Sequence, residues 1–160
     1  MSARTRLQRF LALKQNLSDA EVRYLSDVDH VGHEALVAST RITHRPLGVA
    51  RWVRHADDPL VADIAVTIVD AWQGMGVGTE LARQLVTSAL DAGVRRFTAD
   101  VLIDNAGARK LVRGLGTAVR VVGRDGPIVH YEVELSGPLI ELPAQRQQVT
   151  VPALRSAACR

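Results

Sequence analysis

Cysteine is almost missing from these 160 residues. The one thiol, Cys159, stands next to the last residue, so an intrachain disulfide and a cysteine-based zinc cluster are both excluded. A reduced, cytoplasmic setting is the expectation that follows. Aromatic residues make up only 4% of the chain, and no dense Lys/Arg run is interleaved with them. That removes the usual sequence basis for nucleic-acid binding. Long apolar runs are lacking too: none reaches the roughly 18 residues of a membrane span, and MSARTRLQRF has no apolar core of the secretory kind. Neither a nucleic acid nor a membrane is an expected partner. His30, His33, His44, His55 and His130 show no ligand-like spacing with acids, so no metal is expected, and each reads as a surface or capping histidine.

What is present is ordinary for a globular chain: 47% hydrophobic residues, mostly aliphatic, and 23% charged. The formal charge of +3 and the pI near 9.6 owe much to the segment after Ser136, where Arg146, Arg155 and Arg160 face only Glu141. The length fits one domain with a sizeable core. Residues 1–136 carry periodic patterns and read as that domain. From 137 onward Pro138, Pro143, Pro152 and several glutamines break every period, so 137–160 reads as a tail.

Residues 5–17 have Leu7, Phe10, Leu11 and Leu17 on one helical face, and Ser18-Asp19-Ala20-Glu21 reads as a capping box opening a second short helix. Residues 33–42 and 47–54 read as a hairpin joined by the turn chemistry of His44-Arg45-Pro46-Leu47-Gly48. VADIAVTIV alternates, with Ile64, Val66 and Ile68 on one face and Asp63, Ala65 and Thr67 on the other. A helix follows, with Val77, Leu81, Leu85, Val86, Ala89 and Leu90 inward and Gly93 as its stop. Residues 96–102 predict a strand, 106–115 a short helix stopped by Gly116, and 118–123 and 128–135 a final strand pair turning at Arg124-Asp125-Gly126. This order favours a mixed α/β sheet with helices on its faces.

The stretch Gln73-Gly74-Met75-Gly76-Val77-Gly78-Thr79 lies between the strongest strand and the strongest helix. Alternate glycines let the backbone take conformations closed to other residues, and the first amides of a helix have no intrahelical acceptor. Such a bend suits an anion, a pyrophosphate above all. A nucleotide P-loop requires Lys and then Ser or Thr after its last glycine, but here Thr79-Glu80 follow Gly78; the dinucleotide spacing G-x-G-x-x-G also fails. The plain alternative is three glycines that merely permit a tight turn.

On these residues the chain resembles the GNAT acyltransferase superfamily, whose acyl-CoA signature Gln73-Gly74-Met75-Gly76-Val77-Gly78 matches at every fixed position. The wider stretch from Val28-Asp29-His30 through GVARWVR, ADIAVTIVDAWQGMGVGT and GVRRFTADVLIDN is similar to the GNAT domain of bacterial, mycobacterial-type protein lysine acetyltransferases, over roughly residues 5–135. The resemblance implies a GNAT fold: a mixed, mostly antiparallel sheet with helices on both faces and a splayed central strand pair. It implies acetyl-CoA as co-substrate and an amine acceptor, a protein lysine or a small molecule. Residues 73–79 would hold the pyrophosphate, Val66, Thr67 and Ile68 would offer main-chain contacts to the pantetheine arm, and Asn105 would either hold the coenzyme or cap the following helix.

Acyl transfer to an amine requires the neutral amine, whereas a lysine titrates near 10.4. A base is therefore needed. Asp63 stands where the resembling enzymes carry Glu, on a strand face expected to be partly buried; its alternative is a structural aspartate tied to main-chain amides or to Arg51 or Arg54. Val112 stands near the place where many relatives carry a thiolate-protonating Tyr, which leaves that proton to water. Relative to the family the chain begins late, and the sheet edge this would expose is the motive for expecting a homodimer. A catalytically weak acyl-CoA-binding module for regulation or interaction is the alternative function.

Overall fold

The computed structural model describes residues 28–135. The two helices expected within 5–21 and the tail 137–160 lie outside the described residues. Alternating β-branched and polar residues form six strands, and the two apolar-faced segments form helices. In order these are β1 (His33–Ser39), β2 (Pro46–Arg54), β3 (Val61–Ile68), α1 (Val77–Asp91), β4 (Arg96–Leu102), α2 (Ala106–Arg113), β5 (Ala118–Asp125) and β6 (Ile128–Glu134). They make one sheet in the order β1-β2-β3-β4-β6-β5. Every neighbouring pair is antiparallel except β3 and β4.

One face of this sheet carries the core. Trp52, Ala62, Phe97 and Val133 are fully buried there, together with Leu81, Leu85 and Ala89 of α1 and Val112 of α2. Both described helices therefore lie on the same side, and the burial of their apolar faces is the main stabilising term. Trp52 also donates its Nε1–H to Ser88 Oγ at 3.3 Å, which ties β2 to the last turn of α1. The helix ends as the sequence predicts: Gly93 has φ +87°, and the amides of Gly93 and Val94 close on the carbonyls of Leu90 and Ala89.

Two turns differ from expectation. β1 stops at Ser39, before the β-branched run that read as strand, because Thr40 gathers the turn. Its Oγ1 lies 2.7 Å from Thr43 Oγ1 and accepts the Arg45 amide, and its carbonyl accepts the amide of His44, a residue at φ +52°. Ile42 is consequently 91% exposed. α2 stops at Arg113 with Gly114 as its C-cap, so Gly116 is not the helix stop. Gly116 is needed for another reason: a Cβ there would lie 2.1 Å from the Glu134 carbonyl oxygen.

The entry to β1 is set by Asp29, whose Oδ1 accepts the amides of Val31, Gly32 and His33 at 2.8 to 2.9 Å. These main-chain donors, Val31 foremost, hold its carboxyl below the ordinary carboxylate value. A carboxyl lowered in the folded state stabilises fully above its unfolded value, near 3.9, and loses that contribution as pH falls through the lowered folded value. Asp29→Ala is thus expected to be less stable than the parent at neutral pH. Denaturant titrations should show the gap shrinking as the pH is taken below about 4.

Candidate functional site

The sheet consists of two halves, β1-β2-β3 and β4-β6-β5, joined by very little. β3 and β4 pair only where Val61, Ala62 and Asp63 meet Arg96, Phe97 and Thr98. Past that point, among the described residues, each strand keeps only its outer partner: β3 stays on β2 to Ile68, and β4 stays on β6 to Leu102. The result is a V-shaped opening with Asp63 and Thr98 at its vertex. This is the splayed central pair that the resemblance implied.

Hydrogen bonds at both ends of β3 show which main-chain groups face the opening. Val69 N–H donates to Leu47 O at 2.8 Å and His55 N–H to Val61 O at 2.9 Å, so the odd-numbered residues of β3 are the ones bonded to β2. The Ile64 N–H closes the last rung with Thr98 of β4, while the C=O of Ile64 and the N–H and C=O groups of Val66 and Ile68 turn toward β4 where, among the described residues, no strand pairs with them. This corrects one of the three expected arm contacts. Val66 and Ile68 turn their main chain into the opening, but Thr67 spends its main chain on Val49 of β2 and its side chain is buried.

At the wide end of the V sits the glycine bend. A short 3-10 turn (Asp70–Trp72) leads into it, with Trp72 packed on the edge of the core. The side chain of Gln73 donates from Nε2 to Ile68 O at 3.2 Å and Asp70 Oδ1 at 3.3 Å, which fastens the bend to the end of β3. Gly74 and Gly76 take φ +75° and +84°, and a Cβ on either would meet nothing within 4 Å. Space that a side chain could fill at no contact is space open to a ligand. Gly76 is the N-cap of α1 and supplies no capping side chain, and Glu80 is the first residue to donate back to it, at 3.0 Å. The amides of 77–79 thus precede the helix's first internal bond, and residues 73–76 are exposed while Val77 anchors the helix in the core. The one acid of the first turn, Glu80, is held bidentately by Arg83, which keeps its carboxyl below the usual range and offsets its repulsion of an incoming anion.

At the narrow end Asp63 is not partly buried, as expected, but 69% exposed. Its neighbours also differ from those expected. Arg54 turns away, with its guanidinium on the carbonyls of Pro59, Val31 and Ala92. Asp63 Oδ1 instead accepts from Thr98 Oγ1 and stands 3.0 Å from His55 Nε2, which is also 3.3 Å from Thr98 Oγ1. His55, read from sequence as a surface or capping residue, belongs to this cluster. The signal was available: in an antiparallel hairpin that pairs Val53 with Asp63, residue 55 is the diagonal neighbour of 63 on the same face.

Asn105 shows its capping role directly. Its Oδ1 accepts the Ala108 amide at 3.0 Å at the start of α2. Asn105→Ala should cost about 1 kcal/mol of stability through that lost cap, measurable by chemical denaturation. Val112 points into the core and is 5% exposed, so it offers nothing to a leaving group.

The structure thus joins a sheet that opens between β3 and β4, an uncapped glycine bend at the wide end and a carboxylate at the vertex. The chain belongs to the acetyltransferase (GNAT) family, whose model matches residues 6–117. It is 34% identical over 134 residues to acetyltransferase Pat of Mycolicibacterium smegmatis, a match that takes in 84% of this chain and 39% of that protein. This chain therefore spans about two fifths of the relative's length. It superimposes on the GNAT domain of S. lividans PAT with a TM-score of 0.75 at 28% identity, covering 84% of this chain and 78% of that one. It shares the fold of yncA from Salmonella typhimurium, solved with its cofactor acetyl-CoA, at a TM-score of 0.62 and 19% identity, over 83% of this chain and 82% of that one.

Proposed function

We propose that this acetyltransferase moves an acetyl group from acetyl-CoA to a primary amine, a protein lysine by the resemblance noted above, through direct attack with both substrates bound. The observation that carries this reading is the continuity of the site. Residues 64–68 span about 13 Å at roughly 3.3 Å per residue, with the anion-accepting bend at one end and Asp63 at the other. An extended pantetheine arm laid along that edge would put its pyrophosphate on the amides of 74–79 and its thioester beside the vertex.

This reading assigns each partner of the coenzyme. The helix dipole contributes about 0.3 to 1 kcal/mol per phosphate charge, and each amide bonded to a charged oxygen about 1.5 to 3 kcal/mol. The main-chain groups of Val66 and Ile68 pair with the arm. A main-chain N–H of the same edge faces the thioester oxygen, where charge develops during attack. Asn105 borders the opening from the β4 side while it caps α2. Asp63, exposed at the acceptor end, attracts an ammonium group and, by itself or through a group it holds, serves its deprotonation. The departing thiolate is protonated by water.

Calorimetry with acetyl-CoA, CoA, ATP and NAD tests the first half of this reading. Acetyl-CoA and CoA should bind, with ATP and NAD far weaker. Thiol release from acetyl-CoA with a panel of small amines and lysine peptides tests the second. Equal affinity for ATP, or coenzyme binding without thiol release for any amine, would count against it.

A further inference from the structure

We infer that His55 is the base that takes the proton from the acceptor amine, with Asp63 as the residue that positions it. The inference rests on the acetyl-transfer reading above and assigns the proton within it. Three strands bring the groups together from distant parts of the sequence: His55 from the end of β2, Asp63 from β3 and Thr98 from β4, all on the sheet face away from α1 and at the vertex of the opening. Asp63 Oδ1 is already engaged by the Thr98 hydroxyl, which fixes the carboxylate and aims it at His55. With the carboxylate 3.0 Å from Nε2, the neutral imidazole carries its proton on Nε2 and donates it to Asp63. Nδ1 then holds a lone pair, on a side chain that is 36% exposed at the acceptor end.

Two features favour the imidazole over the carboxylate as the base. Asp63 Oδ1 is already taken by the Thr98 hydroxyl and the His55 ring, whereas His55 Nδ1 keeps its lone pair for a proton. The cluster also has the order of a working couple, with a hydroxyl holding a carboxylate and the carboxylate holding a histidine. It stabilises the imidazolium that forms. In the step itself, Nδ1 takes one proton from the ammonium, and the freed nitrogen pair bonds the thioester carbonyl carbon. As the C–S bond breaks, the sulfur leaves with the bond pair. The second nitrogen proton passes through water to the thiolate, and the imidazolium returns its proton to solvent. The products are an amide, the free thiol and one proton.

Among the described residues, several other charged groups on this face are held in pairs. Arg96 bonds Asp58 and Glu132, Arg120 bonds Glu132 and Glu134, and His130 Nδ1 lies 2.6 Å from Asp100 Oδ1. His130 is therefore the control for a second imidazole on this face.

The experiment compares the full chain with His55→Gln, His55→Gly, Asp63→Asn and His130→Gln. It measures acetyl-CoA affinity by calorimetry, thiol release with a lysine peptide as a function of pH, and the ¹⁵N imidazole spectrum. Acetyl-CoA affinity should be unchanged in all four variants. His55→Gln should lower kcat by about 100-fold or more and abolish the limb of the pH profile in which the rate rises as a proton is lost. His130→Gln should retain that limb, and free imidazole should restore part of the rate to His55→Gly. The neutral His55 ring should be the Nε2–H tautomer, a result that needs no acceptor. A wild-type rate in His55→Gln, persistence of the limb in it, or an Nδ1–H ring overturns the assignment and leaves acetyl transfer standing. Failure of the parent chain to bind acetyl-CoA overturns both.

Discussion

Gly76→Asp is expected to keep the fold and lose the coenzyme. Gly76 holds a left-handed φ of +84°, where a residue with a Cβ costs about 1 to 2 kcal/mol. Asp at the N-cap of α1 recovers only a few tenths of a kcal/mol over Gly by accepting amides that the native residue leaves uncapped. Nothing lies within 4 Å of the new Cβ, so packing is undisturbed and the variant should stay folded, with a melting temperature lower by about 3 to 8 °C. Binding has no such compensation. The new carboxylate occupies the amides that a pyrophosphate would use and repels it as well. Losing two charged-oxygen hydrogen bonds at about 1.5 kcal/mol each already lowers affinity by about 100-fold. Gly76→Asn caps in the same way without the charge and should fall between the two, so the Asp-to-Asn difference isolates repulsion. Calorimetric affinity for acetyl-CoA equal to the parent in a folded Gly76→Asp protein would sink the coenzyme site.

Much of this site could be read from the order of residues, because its parts are local. The bend at 73–79 announces itself by glycines between an alternating strand and an amphipathic helix, and both the conformations and the missing cap follow from those residues alone. What was not legible depends on how strands pair. Asp63 looked partly buried because its neighbours Ala65 and Thr67 are apolar or small. In the sheet it stands at the vertex, where β3 begins to lose its inner partner, and it is open to water. His55 looked isolated because its partners lie eight and forty-three positions away, and only the hairpin register brings them together. Thr67 looked equivalent to Val66 because side-chain alternation is visible in a sequence, whereas the alternation of main-chain donors is not. Ile42 looked like strand on propensity, but the hydroxyl of Thr40 closed the turn first. Gly116 looked like a stop signal when its real constraint is the nearby backbone of β6.

That hidden alternation supplies the sharpest test of how β3 works, a pair of proline substitutions one residue apart. Proline removes an N–H from an extended strand, and at either position its ring in place of the native side chain and its fixed φ near −65° add a smaller cost, Val66 lying against the core and Thr67 being buried. At Thr67 the N–H belongs to the ladder with Val49. Thr67→Pro leaves the Val49 carbonyl unsatisfied beside a buried side chain and should cost on the order of 3 kcal/mol of stability. At Val66 the N–H faces the opening, where no described strand takes it. Val66→Pro should melt much closer to the parent, yet acetyl transfer should fall by about 100-fold, the loss typical when a donor to the coenzyme or to a developing oxyanion is removed. Circular dichroism melts and thiol-release rates on the two variants separate the effects. If Val66→Pro unfolds as readily as Thr67→Pro, the N–H of Val66 belongs to the sheet and the opening is not the path of the coenzyme arm. If it stays folded and keeps its full rate, the arm contacts lie elsewhere along the edge. A folded and inactive Val66→Pro beside a destabilised Thr67→Pro is the result expected of a strand that pairs with protein through every second residue and leaves the others to its substrate.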